Sequence, residues 1–229
     1  MVETINIEGV SCQFEPCDTK RVCYLMTPIP VEERKIDIAV SKYKYNMVVL
    51  TGMDWNNDLT PWPAPGLVRG SKPFGGLAEA FLGKLTDVVM PDVECRLGLG
   101  GGAERTLTGV SLAGLFAAWA WVRCDRFRNI GCISGSFWYD GFVEWLSSAD
   151  ADRAGGCAYF TLGEKESQGG SPRYRTIRTD TERVVAWAER LGAKTMFELT
   201  PGSHFASFLP RLERMLQGLN SLAETVAED

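Results

Sequence analysis

Histidine is almost missing from this chain of 229 residues; the one present is His204. A lone imidazole, with no pair of cysteines at C-x-x-C spacing, argues against a structural zinc centre. The seven cysteines are odd in number and scattered, so they read as thiols of a reducing compartment and not as a disulfide framework. No stretch approaches the roughly 18 uninterrupted apolar residues of a membrane span; the most apolar one, Leu112 to Val122, is too short. The first residues lack the basic start and apolar run of a secretory signal. These features lead us to expect a cytoplasmic protein with no membrane partner. Positive charge is not in excess either. The formal net charge is -5, which speaks against a phosphate-tracking surface and hence against a nucleic-acid partner. The glycines of Gly98–Ala103 loosely match a dinucleotide fingerprint, but that fingerprint follows a strand and opens a helix, whereas this stretch precedes a strand-like run. We read it as a loop and expect no cofactor.

What the chain does have is an ordinary soluble composition, 45% hydrophobic and 23% charged, and enough length to bury a substantial core. Thr4–Val10 alternates polar and apolar residues. Arg21–Met26 and Ile36–Val40 are short apolar-rich runs. Asn46–Leu50 is a continuous apolar run of the kind a strand buried on both faces shows. Residues 53–73 then hold four prolines and two tryptophans without a regular pattern, which reads as a pocket wall or lid. Gly75–Leu85 places Leu77, Phe81 and Leu85 on one helical face, and a short helix follows Pro91. Strand-like runs at Arg105–Val110, Ile130–Ile133, Cys157–Leu162 and Thr195–Leu199 alternate with helices at Leu112–Arg123, Ser171–Leu191 and Phe205–Leu219. This order predicts a single α/β domain over residues 1–229, with a mainly parallel sheet, helices on both faces and no large separate cap domain.

The segment Arg105-Thr-Leu-Thr-Gly-Val-Ser111-Leu-Ala-Gly carries the strongest chemical signal. A β-branched run enters a G-x-S turn and leaves into an alanine-rich helix, the arrangement of a nucleophile elbow. The residues two before and two after the serine must be small, and Gly109 and Ala113 are. The helix N-terminus beyond offers the N–H of Leu112 to a developing oxyanion. The competing interpretation is a plain turn in which Ser111 caps the helix.

A serine nucleophile needs a base. His204 lies in a Gly-Ser loop after the last strand-like run and before the last helix, where the chain order nucleophile, acid, histidine puts it. The acid is expected at the strand end Tyr159-Phe-Thr-Leu-Gly-Glu164-Lys-Glu166, with Glu166 preferred over Glu164, and Asp140 as a third option. It would hold the imidazole tautomer and stabilise the imidazolium. Ser134 and Ser136 are rival nucleophiles without a following helix start. Asp54, Asn56, Asn57 and Asp58 read as turn chemistry, and Arg173, Arg175 and Arg178 as a solvated helix face.

With these residues in hand, the chain resembles the esterase family that includes enterochelin (siderophore) esterases and esterase D-like enzymes. The resemblance runs over residues 45 to 210 and rests on Pro91-Asp-Val-Glu-Cys-Arg96, Gly109-Val-Ser-Leu-Ala-Gly-Leu115 and Ser134-Gly-Ser-Phe-Trp138, with Ala113 where the family usually has glycine. It implies an α/β-hydrolase fold and a small-molecule ester substrate. It also implies an oxyanion loop at Gly52–Trp55, with Met53 the favoured donor and Asp54 next. Asp54, Trp55, Trp62 and Trp138 are expected to wall the substrate pocket. The expected reaction is cleavage of a carboxylic ester or related acyl bond through an acyl-enzyme on Ser111. The alternatives are a thioesterase, an acyltransferase or a catalytically silent binding protein on the same fold, and the oligomeric state stays open.

Overall fold

Residues 4–10 alternate as a strand should, yet the chain reverses inside that stretch. Glu8 and Gly9 both take positive φ, 47° and 87°, the backbone a tight hairpin turn demands. They join β1 (Glu3–Ile7) to β2 (Val10–Glu15). The computed structural model describes residues 2–28, 31–32, 42–149, 151–204, 206 and 208–228, with side chains as far as Thr225. The run expected at Ile36–Val40 lies outside the described residues, as does Phe205.

Two strands follow, β3 (Arg21–Met26) and β4 (Asn46–Thr51). Every residue of β4 is buried, as its unbroken apolar run requires. A short ribbon, β5 (Pro63–Ala64) with β6 (Phe74–Gly75), closes the irregular segment. Gly75 therefore belongs to the ribbon and not to the helix expected from it. α1 (Ala78–Lys84) starts three residues later and runs through a π-helical turn, Leu85–Val89, into α2 (Met90–Arg96). Pro91 sits in the first turn of α2, where its missing N–H costs nothing. Then come β7 (Glu104–Val110), α3 (Leu112–Arg123), β8 (Asn129–Ile133), α4 (Phe142–Ser148) and β9 (Cys157–Gly163). The single helix expected over Ser171–Leu191 is split. A 3₁₀ segment, Pro172–Thr176, precedes α5 (Ile177–Arg190). β10 (Lys194–Thr200) and α6 (Phe208–Glu228) end the fold.

Among the described residues the main sheet has eight strands in the order β1-β2-β4-β3-β7-β8-β9-β10. β2 runs antiparallel to both its neighbours, and the pairs from β4 through β10 are parallel. The period of two in the strands divides the core. Val22, Tyr24, Met26, Val48 and Leu50 pack on the face covered by α1 to α5. Cys23, Leu25, Met47 and Val49 face Leu212, Met215, Leu216 and Leu219 of α6. No helix among the described residues is long and apolar enough to cross a membrane.

Parallel strands align their C-terminal ends, so every loop leaving one edge can contribute to one site. The loops after β3, β7, β8, β9 and β10 are such loops.

Candidate active site

The turn between β7 and α3 is strained at one residue. Ser111 has φ 59° and ψ −122°, a conformation that costs a non-glycine residue about 1–3 kcal/mol. The reason for the small neighbours is steric. A Cβ on Gly109 would lie 2.5 Å from the Cβ of Ala113 and 2.6 Å from its carbonyl carbon. One on Gly114 would come within 3.0 Å of the Cα of Gly135. The methyl of Ala113 thus occupies room that Gly109 leaves empty, which is how alanine is accommodated in place of a second glycine. Gly109→Ala should collapse the turn, giving insoluble or inactive protein. Adding Ala113→Gly should not rescue it, because the backbone of residue 113 remains in the way. Recovery of soluble protein with wild-type melting temperature from the single variant would contradict this geometry.

Ser111 stands at the N-cap position of α3 but its side chain caps nothing, which removes the competing interpretation of it as a capping residue. Its hydroxyl instead meets that of Ser136, Oγ to Oγ 3.2 Å, and the Ser136 N–H donates to the Ser111 carbonyl at 3.0 Å. The first N–H groups of α3, beginning with Leu112, have no intrahelical acceptor.

The β9 loop brings in the carboxylate. Gly163 ends the strand and its N–H donates to Glu166 Oε1 at 2.6 Å. A side chain at Gly163 would collide with Glu166 and with the Gly202 carbonyl, each within 2.9 Å, so the glycine lets two loops meet. Glu166 is buried, and its Oε2 lies 2.8 Å from His204 Nδ1. Burial pushes the Glu166 carboxyl up. The hydrogen bonds from His204 and Ser134, the charge of His204 and the Gly163 N–H outweigh that, and it ends below the usual carboxylate value. Glu164 is exposed, and Asp140 pairs with Arg173 at 2.6 Å. Of the three candidate acids, only Glu166 is thus brought to the histidine.

Ser111, Leu112 and His204 line one cavity of about 440 Å³, with Trp55, Leu67, Phe74, Trp138 and Tyr174 forming much of its apolar wall. Trp55 and Trp138 stand where the sequence suggested. Trp62 and Asp54 do not line it. The Trp62 ring packs beside Tyr139, Phe142 and Trp145 and its Nε1 donates to the Asp140 carbonyl, so it braces the wall from behind. Asp54 organises its own turn, accepting from the N–H groups of Asn56 and Asn57, and lies 3.6 Å from Lys72. Arg173, read from sequence as solvated, bonds to the carbonyls of Pro65 and Gly66 and holds the irregular segment against the cavity.

The oxyanion loop requires a correction. The strand beside β7 is β3, not β4. The turn abutting Ser111 is therefore that of Thr27 and Pro28, which line the cavity, whereas Met53 follows the next strand out and does not. Gly52 is needed for another reason: with φ 91° it closes on the Gly9 carbonyl, 2.7 Å from where a Cβ would be, and not on a substrate. Sequence alone could not distinguish two short apolar strands by their order in the sheet. Cys132 is fully buried, with its thiol pushed up by burial, and takes no part in the cavity.

Sheet order, elbow and the histidine loop together define the α/β-hydrolase fold. No protein-family model matches the chain. The uncharacterized protein YbbA of Bacillus subtilis (strain 168) is 27% identical over 154 residues, 65% of this chain and 62% of that protein; the alignment therefore spans less than two thirds of the relative. Among solved structures, an IroE-like serine hydrolase from Shewanella oneidensis superposes with a TM-score of 0.74 at 17% identity, over 95% of this chain and 79% of that one. Siderophore hydrolase EstB from Aspergillus nidulans gives 0.68 at 18%, over 93% and 92%. An enterochelin esterase from Shigella flexneri gives 0.70 at 16%, over 98% and 59%. At these identities the likeness is one of fold.

Proposed function

We propose that this protein is a serine hydrolase that cleaves a carboxylic ester of a small molecule through an acyl-enzyme intermediate. One observation carries the reading: the strained Ser111 and the Glu166-bonded His204 border the same apolar cavity. His204 takes the proton of Ser111 as its oxygen attacks the acyl carbonyl, and returns it to the leaving alcohol. The acyl-enzyme is then released by water activated in the same way. Glu166 fixes the tautomer in which Nε2 is the acceptor. The N–H of Leu112 receives the oxyanion, and the turn after β3, rather than Met53, lies beside it.

The cavity supports an uncharged acyl or aryl group. Lys72 and the buried Arg211 are its cations among the described residues, a poor match to a polyanionic ligand. Several fold neighbours are described as siderophore hydrolases or esterases, which agrees with ester cleavage as the reaction class. The odd number and scattered positions of the seven cysteines support a reducing compartment such as the cytoplasm.

A fluorophosphonate probe tests the proposal directly. It should form a covalent adduct on the peptide carrying Ser111, and none in Ser111→Ala. Folded wild-type protein that takes up no probe would point instead to a catalytically silent binding protein.

A further inference from the structure

Helix α6 places a charge where its pattern calls for an apolar residue. Arg211 falls one turn before Met215 on the inward stripe, and only 1% of it is exposed. Its Nη1 donates to Ser134 Oγ at 2.7 Å and lies 3.5 Å from Glu166 Oε1, while Nη2 donates to the Ser203 carbonyl at 3.2 Å. Ser134 in turn donates to Glu166 Oε1 at 2.5 Å and takes a positive φ of 49° to do so from the end of β8. Oε1 therefore receives Ser134, the Gly163 N–H and the guanidinium, and Oε2 is left to His204.

Stability does not explain this arrangement. A buried ion pair is on average no more stabilising than apolar residues of the same volume. Here the guanidinium is also incompletely satisfied, since its Nε is buried without a partner. We propose that Arg211 is a positioning residue for the Glu166–His204 pair: through Ser134 it locks the carboxylate in one orientation, and its charge offsets part of the negative charge that Glu166 presents to the imidazolium. This rests on the serine-hydrolase reading above. The other groups facing the carboxylate are few. Tyr174 approaches from the 3₁₀ segment, its phenol raised by burial and by the charge of Glu166. Behind Arg211 stands Tyr159, whose hydroxyl donates to Glu198, itself 3.8 Å from Arg214. Glu164 and Lys165 beside Glu166 are exposed. Arg211 is thus the cation packed on the far side of the carboxylate.

The sign of the effect follows. Removing a positive charge favours the protonated, inactive imidazole, so the acid limb of the pH profile must move to higher pH. The measurement is kcat/KM for p-nitrophenyl butyrate from pH 5 to 9, with melting curves, for Arg211→Gln and Arg211→Lys. Glutamine, two atoms shorter, loses the charge together with the Ser134 bond; lysine keeps the charge. Arg211→Gln should lower kcat about tenfold, leave KM within twofold and move the acid limb up by roughly half to one pH unit. Arg211→Lys should keep the wild-type limb. A folded Arg211→Gln with an unmoved limb overturns the proposal. So does an effect on KM alone, the same shift in both variants, or failure of both to fold. Should Ser111→Ala stay active, it is the hydrolase reading that fails; an inactive Ser111→Ala with an unmoved Arg211→Gln isolates the failure to Arg211.

Discussion

Alanine at Ser111 should lower kcat/KM for p-nitrophenyl butyrate by about four to six powers of ten, and alanine at His204 by nearly as much. The double variant should be no worse than either single one, because the two groups act as a unit. The residual rate would come from oxyanion stabilisation and binding alone. Neither change should unfold the protein. Among the described residues the Ser111 hydroxyl bonds to the side chain of Ser136, and its removal buries no unpaired charge. Losing His204 leaves Glu166 with Ser134, Gly163 and Arg211. Purified Ser111→Ala with a rate within tenfold of wild type would remove the nucleophile from the account.

Glu166→Gln should cost about three to four powers of ten in kcat, and the hydrogen bonds say why. Ser134 and the Gly163 N–H both donate to the Oε1 side, so a glutamine there must turn its carbonyl to them. Its amide NH₂ then faces His204 Nδ1 and forces the proton onto Nε2, where it cannot accept the hydroxyl proton of Ser111. The substitution also strips Arg211 of its counter-charge inside the protein, with an expected loss of about 3 kcal/mol. The linkage to pH has a definite sign. Glu166 sits below its ordinary value in the folded protein, so its contribution to stability is present above the unfolded carboxylate range and is lost as pH falls through the lowered value. Melting temperatures of Glu166→Gln should therefore change less with acidification than those of wild type. Activity within tenfold of wild type would hand the role to another carboxylate. Glu164, exposed, and Asp140, held by Arg173, offer no such contact.

Some of the site was legible because its chemistry is local. The elbow is a contact between residues four apart, Gly109 and Ala113, and the strand and helix flanking it are fixed by adjacent patterns; α3 spans the predicted Leu112–Arg123 without change. The histidine was singular by composition. Glu166 was a preference over Glu164 because a short loop after a strand gives both carboxylates similar reach. The long-range choices were not legible. The Arg173 contacts that tie residues 65 and 66 to the cavity bridge more than a hundred positions. The inward setting of Arg211 was not anticipated from sequence, because its partners lie in two other loops.

The sequence by itself determined the alternation of strands and helices, the tight turn at Ser111 and the loop of His204, because helix period, strand period and the size of neighbouring side chains act over a few residues. Tertiary structure alone decided that β3 and not β4 borders β7, and so that the turn at Thr27 and not Met53 flanks Ser111. It also decided which tryptophans face the cavity and that a buried arginine backs the carboxylate. Those outcomes depend on strand order and on loops meeting at one sheet edge, and pairing between distant strands is selected by the packing of the whole core and not by any local pattern.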